Sequence, residues 1–314
     1  MKKILSILTV LFCLFASGCE SHEQTENIYI IYTNDVASHI DENFGYAGVK
    51  GYKTYLESEN NYVCLVDAGD FLDGYISEIS GGEYITQIMN VVGYDVAAVG
   101  NQEFSVGLDH LAKDISESAF DYVSCNIEYT GSGKDVLEGI KPYVIKKFGG
   151  VRVAFIGVTT PEVMVPNKRA YEAITENDEY IYHFHEGNNG KDLYEQVQKT
   201  VNKVRNKAEY VILLSHLGSN SVTEGFSSYD VIANTNGIDV VIDAHSHTVI
   251  PGESVLNKDE EEVVLTSTGE MFENLGVLIL RKDHTYSTTL YPTVYEIDEE
   301  VREMCDSIYE EIGD

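Results

Sequence analysis

Five short apolar runs in this chain end in the same way, and that repetition restricts the fold more than any other feature. Ile28–Tyr32 leads into Thr33-Asn34-Asp35, Tyr62–Val66 into Asp67-Ala68-Gly69-Asp70, and Val96–Val99 into Gly100-Asn101. Tyr210–Leu214 runs into Ser215-His216, and Asp239–Ile242 into Asp243-Ala244-His245-Ser246-His247. Short runs rich in Val and Ile read as buried strands. Tyr122–Ser124 and Val151–Val158 add two more of the same kind. Between them, Lys191–Lys207 sets Leu193, Val197, Val201 and Val204 on one helical face, and Thr86–Val92 and Leu108–Ile115 are further helix candidates. Alternating strands and helices predict a layered α/β fold with central mixed sheets flanked by helices. Val263–Ser267, Gly276–Arg281 and Ser287–Tyr291 come without long helices between them, so the second half is expected to be antiparallel or mixed. Glu299–Ile312 reads as a terminal amphipathic helix.

In open α/β sheets, sites form outside the carboxyl ends of the strands. A single Asp or Asn there is ordinarily a turn former or a helix cap. His245-Ser246-His247 says more, because alternate residues of an extended segment point the same way. Asp, Asp, Asn, His and His-x-His arriving at one edge from five strands form a set of candidate metal ligands. Mixed oxygen and nitrogen donors suit Zn, Mn or Fe better than Ca or a thiolate-held ion. Cys64 and Cys125 lie in apolar runs and are read as core residues; with Cys305 they form neither a disulfide framework nor a Cys-based metal site.

Asp35, Gly69-Asp70, Gly100-Asn101, His216 and His245-Ser246-His247 resemble, in order, the calcineurin-like metallophosphoesterase domain of bacterial 5′-nucleotidases. The resemblance runs from about Ile28 to about Arg281 and includes Thr159-Thr160-Pro161-Glu162 and Gly269-Glu270. It implies a two-metal site. Asp70 would bridge both ions, Asp35 and His247 would hold one, and Asn101, His216 and His245 the other. Asp67 is expected to support its loop. The implied chemistry is in-line attack of activated water on phosphorus, with the ions neutralising the phosphoryl oxygens.

The departures from that pattern bear directly on activity. The family usually has Asp-x-His at the first motif, whereas this chain reads Asp35-Val36-Ala37. It usually has Asn-His-Glu-Phe-Asp at the third, whereas this chain reads Asn101-Gln102-Glu103-Phe104-Ser105. Ala37 cannot bind a metal. Gln102 can donate a hydrogen bond but carries no proton to transfer, and Ser105 is a short, neutral stand-in for the orienting acid. A general acid is typically worth about 10²–10⁴-fold in rate. His39, two residues beyond Ala37, would lie about 7 Å further along an extended chain and is read as facing solvent. His183 and His185 are read as surface residues of a polar loop. His22, His110 and His284 have no supporting context.

Lys2 and Lys3, the apolar run Ile4–Phe15 and Ala16-Ser17-Gly18-Cys19 read as a signal peptide over residues 1–18 ending at a lipidation cysteine. Residues 19–27 would then be the lipidated Cys19 and a polar tether, 28–295 the metallophosphoesterase domain and 296–314 a C-terminal helix. Family members commonly add a C-terminal domain that stacks the nucleobase; with Asp314 as the last residue, that domain is expected to be absent. The formal net charge of −31 repels nucleic-acid polymers, so none is expected as a partner.

Two readings are consistent with these residues. One is a lipid-anchored, metal-dependent phosphoric-ester hydrolase on the outer face of a bacterial membrane, acting slowly on a phosphorylated small molecule or nucleotide with one or two divalent ions. The other is a non-catalytic, metal-containing surface lipoprotein that binds a phosphorylated ligand or a protein partner. Both place the protein in the membrane fraction. Cys19→Ser is expected to abolish lipid processing and release the protein from membranes on fractionation; membrane retention equal to the parent would overturn the anchor.

Overall fold

The computed structural model describes residues 27–164, 175–176 and 179–313. The leader reading, Cys19 and His22 lie outside the described residues. The first half comprises β1 (Ile28–Thr33), α1 (Gly45–Ser58), β2 (Tyr62–Asp67), α2 (Gly74–Ser80), α3 (Glu83–Val92), β3 (Val96–Ala98), α4 (Leu108–Glu117), β4 (Asp121–Val123), β5 (Ile127–Tyr129), β6 (Tyr143–Phe148) and β7 (Val151–Thr159). The second comprises β8 (Thr175–Glu176), β9 (Glu179–Tyr180), β10 (Tyr182–Phe184), α5 (Gly187–Val204), β11 (Tyr210–His216), α6 (Ser228–Asn234), β12 (Val240–Asp243), β13 (Val249–Leu256), β14 (Glu262–Thr268), β15 (Leu275–Leu280), β16 (Tyr286–Tyr291) and α7 (Glu299–Ile312).

Two six-stranded sheets stack face to face, in the orders β16-β15-β1-β2-β3-β4 and β13-β14-β12-β11-β7-β6. The inner strands of each are parallel, and antiparallel partners close the edges at β15, β16, β13 and β6. Strand periodicity explains the layers. In β1, Ile28, Ile30 and Tyr32 pack between the sheets while Ile31 joins the helical side. Helices α1, α3 and α4 bury their apolar faces on the first sheet, α7 packs on α1 and α3, and α5 and α6 cover the second. The predicted layered fold with mixed sheets and flanking helices is therefore the one observed, with strand boundaries displaced by only a residue or two.

Polar ties cross between the sheets. The Tyr32 hydroxyl lies 2.7 Å from Thr266 Oγ1 on β14 of the other sheet and, within its own sheet, 2.6 Å from Thr288 Oγ1 on β16. Thr159 at the end of β7 donates to the Val99 carbonyl at 2.6 Å. Cys64 and Cys125 are buried and free, as their apolar surroundings implied, and so is Cys305. No helix among the described residues is long and apolar enough to cross a membrane.

Two expectations need correction. His183 is not in a loop but in β10, which pairs with β5 opposite Glu128; alternation of Tyr182, His183 and Phe184 buries the two rings and leaves the imidazole outside. Strands β6 and β13 were not anticipated, because exposed edge strands carry charged or glycine-containing sequences without the apolar run of inner strands.

At Gly157 in β7 the backbone of β4 approaches so closely that a methyl group would overlap the Val123 carbonyl. Gly157→Ala is therefore expected to lower stability by about 1–3 kcal/mol or more in denaturant unfolding. Gly133→Ala, whose added methyl meets only the Tyr129 hydroxyl at 3.6 Å, should stay within about 0.5 kcal/mol. Equal midpoints for the two variants would refute the close-approach argument.

Candidate metal centre

The inner parallel strands of both sheets end at one edge of the sandwich, and the loops that leave them bring the ligating side chains together. Asp70, His216 and His245 each offer a ligand atom within 4.8 Å of the others. Asp70, Asn101, Gln102, Glu162, Val222, Thr223, His245 and His247 line a cavity of about 380 Å³ there. An open groove of about 490 Å³ outside α5 is larger, but its lysines and amides include no His or Asp; the chemistry is in the smaller cavity.

Backbone geometry at the edge is unusual. Asp35, Asp70, His245 and His247 all have positive φ, between 52° and 76°. Left-handed backbone at non-glycine residues costs energy and persists where surrounding contacts enforce it. At Asp70 the enforcing contact is Glu103. Its fully buried carboxylate accepts hydrogen bonds from the N–H groups of Asp70 (3.0 Å), Phe71 (2.9 Å), Leu72 (3.1 Å) and Gly100 (2.6 Å), fastening the β2 loop to the β3 loop. Asp67 supports the same turn as expected, accepting from Thr33 Oγ1 at 2.6 Å and Gly69 N at 2.7 Å. A side chain at Gly69 would strike the His216 ring and the Gly100 backbone.

The donors point inward with unused capacity. His216 donates from Nδ1 to the Ala68 carbonyl at 2.9 Å, which leaves Nε2 3.1 Å from Asp70 Oδ2. The Asn101 Oδ1 is buried without a hydrogen-bond partner, a costly state that a bound ion would relieve, and the buried His216 Nε2 faces the Asp70 carboxylate. Asp35 accepts from the His245 N–H at 2.9 and 3.0 Å and from Asn34 Nδ2 at 2.8 Å. His247 Nε2 lies 3.9 Å from Asp35 Oδ1.

The remaining predicted positions are less favourable. Ala37 contributes only its N–H, donated to the Asp70 carbonyl at 3.0 Å. Gln102 lines the cavity, and its N–H donates to Asp70 Oδ1 at 2.8 Å. The Ser105 hydroxyl donates to the Gln102 backbone carbonyl at 2.6 Å within a 3₁₀ turn. His39 faces Glu42 at 3.9 Å and stands outside the ligand group, and His183 and His185 do not line the cavity. Glu103, Glu162 and Glu270 lie within the matched motifs, but their roles were not foreseen. Glu162 Oε2 is 3.8 Å from His245 Nε2, while its Oε1 accepts from Thr223 N at 2.5 Å. The available signal was a carboxylate in each loop adjoining a ligand.

Charge imbalance dominates the electrostatics. Asp35, Asp67, Asp70, Glu103 and Asp243 are all buried, and among the described residues no Lys or Arg forms an ion pair with any of them. Burial pushes Asp35 up to about 6, and Glu103 and Asp243 up to about 7. Burial opposes the His216 charge, but Asp70, Asp35 and Glu103 outweigh it and push the imidazole up to about 10. Burial and the neighbouring His216 charge push His245 down to about 4.

All but one of these shifts share a sign in metal-free protein; His245, held neutral, adds stability as pH rises from about 4 to its ordinary 6.5 and is outnumbered by the others. The stabilisation from His216 is complete below its ordinary 6.5 and is lost as pH rises through about 10. The raised carboxylates bind protons in the folded state above their ordinary 3.8 or 4.5, so their ionisation destabilises the fold as pH climbs towards 7. Metal-free protein is therefore expected to melt at progressively lower temperature from pH 5 to pH 9. Saturating Mn or Zn should raise the melting temperature more at pH 8 than at pH 5, because ligands must be deprotonated. A flat metal-free profile with no metal-induced rise would contradict the cluster's role.

Comparison with known proteins agrees with this geometry. The family described as bacterial capsule synthesis protein PGA_cap matches residues 62–274. The trifunctional nucleotide phosphoesterase protein YfkN of Bacillus subtilis (strain 168) is 25% identical across 88% of this chain and 20% of its own length. The 5′-nucleotidase of Vibrio cholerae serotype O1 is 28% identical across 68% of this chain and 39% of its own. The chain thus spans well under half the length of these curated relatives. The 5′-nucleotidase precursor of Thermus thermophilus superposes with a TM-score of 0.76 at 21% identity, covering 91% of this chain and 59% of that one, which shows a shared fold. The chain belongs to the family described as bacterial capsule synthesis protein PGA_cap, and its fold is a metallophosphoesterase domain of the 5′-nucleotidase family.

Proposed function

We propose that this chain is a 5′-nucleotidase-like, metal-dependent phosphoric-ester hydrolase, exported and lipid-anchored through Cys19 on the outer face of a bacterial membrane, with turnover lowered by its own substitutions. One observation carries the hydrolase reading: buried carboxylates without Lys or Arg partners surround the orphaned Asn101 Oδ1 and the inward-facing His216 Nε2. That donor set fits divalent cations such as Zn, Mn or Fe. Asp70, Asn101, His216 and His245 would hold one ion, and Asp35, Asp70 and His247 a second, weaker one. A divalent ion in such a site supplies Lewis-acid polarisation of a phosphoryl oxygen and a lowered pKa for water.

The protein's own groups orient the donors and limit the proton chemistry. Ala68 fixes the His216 tautomer, so Nε2 is the nitrogen presented to the centre. Gln102, at the cavity wall, can steady a leaving oxygen through its amide but cannot protonate it. Phosphorylated small molecules, including nucleotides, are the proposed substrates, in line with the names of the relatives.

A second reading, a non-catalytic surface lipoprotein that binds a phosphorylated ligand or a partner protein, draws on Ser105, whose short, neutral hydroxyl is engaged with the Gln102 backbone carbonyl. Restoring the missing groups separates the two. Ala37→His, Gln102→His and Ser105→Asp together are expected to raise phosphate release from an aryl phosphate and from nucleoside monophosphates by at least about 10²-fold. The gain should exceed the product of the single effects, since the new His needs both its acid and a fully charged centre. A parent turnover already in the ordinary range of about 1–10³ s⁻¹ would refute the impaired-site reading. A triple variant that binds two ions and stays inert would favour the binding protein.

A further inference from the structure

The His247 imidazole is held from both sides. Its Nδ1 lies 2.8 Å from Glu270 Oε2, and its Nε2 faces Asp35 Oδ1 at 3.9 Å. A carboxylate only accepts, so this contact places the ring proton on Nδ1 and leaves the Nε2 lone pair toward Asp35. Nearly half of the His247 side chain is exposed, and such a ring would sample other rotamers and tautomers without that contact.

Glu270 is itself fixed to the loop that carries Asp35. Asn34 donates from Nδ2 to the Gly269 carbonyl at 2.7 Å, and its Oδ1 accepts from Thr268 N at 2.9 Å and Thr268 Oγ1 at 2.6 Å. The Met271 N–H donates to the Asp35 carbonyl at 3.0 Å, and Asn43 Nδ2 donates to the Met271 carbonyl at 2.9 Å. The Asp35 carboxylate binds the His245 N–H. The three loops that bear Asp35, His245-Ser246-His247 and Glu270 therefore form one hydrogen-bonded unit, in which the Ala37 side chain has no part.

The geometry points to Glu270 as a positioning residue for the Asp35–His247 half of the centre: by fixing the tautomer and direction of His247, it preserves a binding site for a second divalent ion although Ala37 supplies no ligand. This rests on the metal-dependent reading above. Groups that hydrogen-bond to a ligating His typically govern about 10–100-fold of metal affinity.

The test is a Mn titration of mature protein followed by calorimetry, with the tautomer of His247 read by nitrogen-15 NMR on metal-free samples. The parent should bind one ion tightly and one weakly, with His247 protonated on Nδ1. Glu270→Ala should weaken the second ion by about 10–100-fold, leave the tight ion unchanged and give mixed tautomers. Glu270→Gln, which keeps an acceptor oxygen, should fall between them. Parent-like weak binding in Glu270→Ala, or mixed tautomers in the parent, would overturn the assignment. A parent that takes up no Mn at all would sink the hydrolase reading instead, and the metal-free tautomer measurement would still decide whether Glu270 holds the ring.

Discussion

The ligand cluster depends on a single buried carboxylate that touches neither the cavity nor any predicted ligand side chain. Glu103 gathers four N–H groups from the β2 and β3 loops. Those amides would otherwise be orphaned at a buried turn, and each unmet donor would cost about 1–3 kcal/mol. With them satisfied, Asp70 is held in left-handed backbone and Asn101 stands next to it. The strain in one loop is thus supported by a hydrogen-bond acceptor from another.

The same reasoning accounts for the concentration of acid at this edge. An isolated buried carboxylate is strongly unfavourable unless it is paired, hydrogen-bonded or neutral. Asp67 and Glu103 are answered by backbone and hydroxyl donors. Asp70 leans on His216, and Asp35 on amides from two loops. A protein that needed only stability would replace several of these with apolar residues. Keeping them, together with an Asn101 oxygen that has no partner, is the signature of a cation site in the physical sense, independent of what reaction takes place there.

Inner strands were legible because burial on both faces demands runs of Val and Ile, and the ligands were legible because each comes directly after such a run. The edge elements were not. Helix α1 contains Gly45, Gly48 and Gly51, which blur its apolar stripe, and β13 is mostly exposed with a register irregularity between Ile250 and Glu253. Within the site, ligand types and order could be read, but support could not. Glu103, Asn34 and Glu270 act through contacts with residues 31 to 235 positions away in most cases, and chain separation of that kind leaves no local pattern. The partner that Ser105 takes follows from its place in a tight turn, where a hydroxyl finds the nearest carbonyl before it finds a side chain.

Because β1 to β4 run in one sense in their sheet, and β7, β11, β12 and β14 in one sense in theirs, the two ends of the sandwich carry unequal burdens. One edge is crowded with loops that must meet within a few ångströms. The other is closed by short connections such as the turn through Glu260 and the hairpin through His284, both exposed and both already in left-handed backbone. Nothing at that end touches the ligands. Epitopes, fluorophores or whole domains could be spliced into those turns as handles, which makes the fold a carrier whose chemically demanding face and whose permissive face are physically separate.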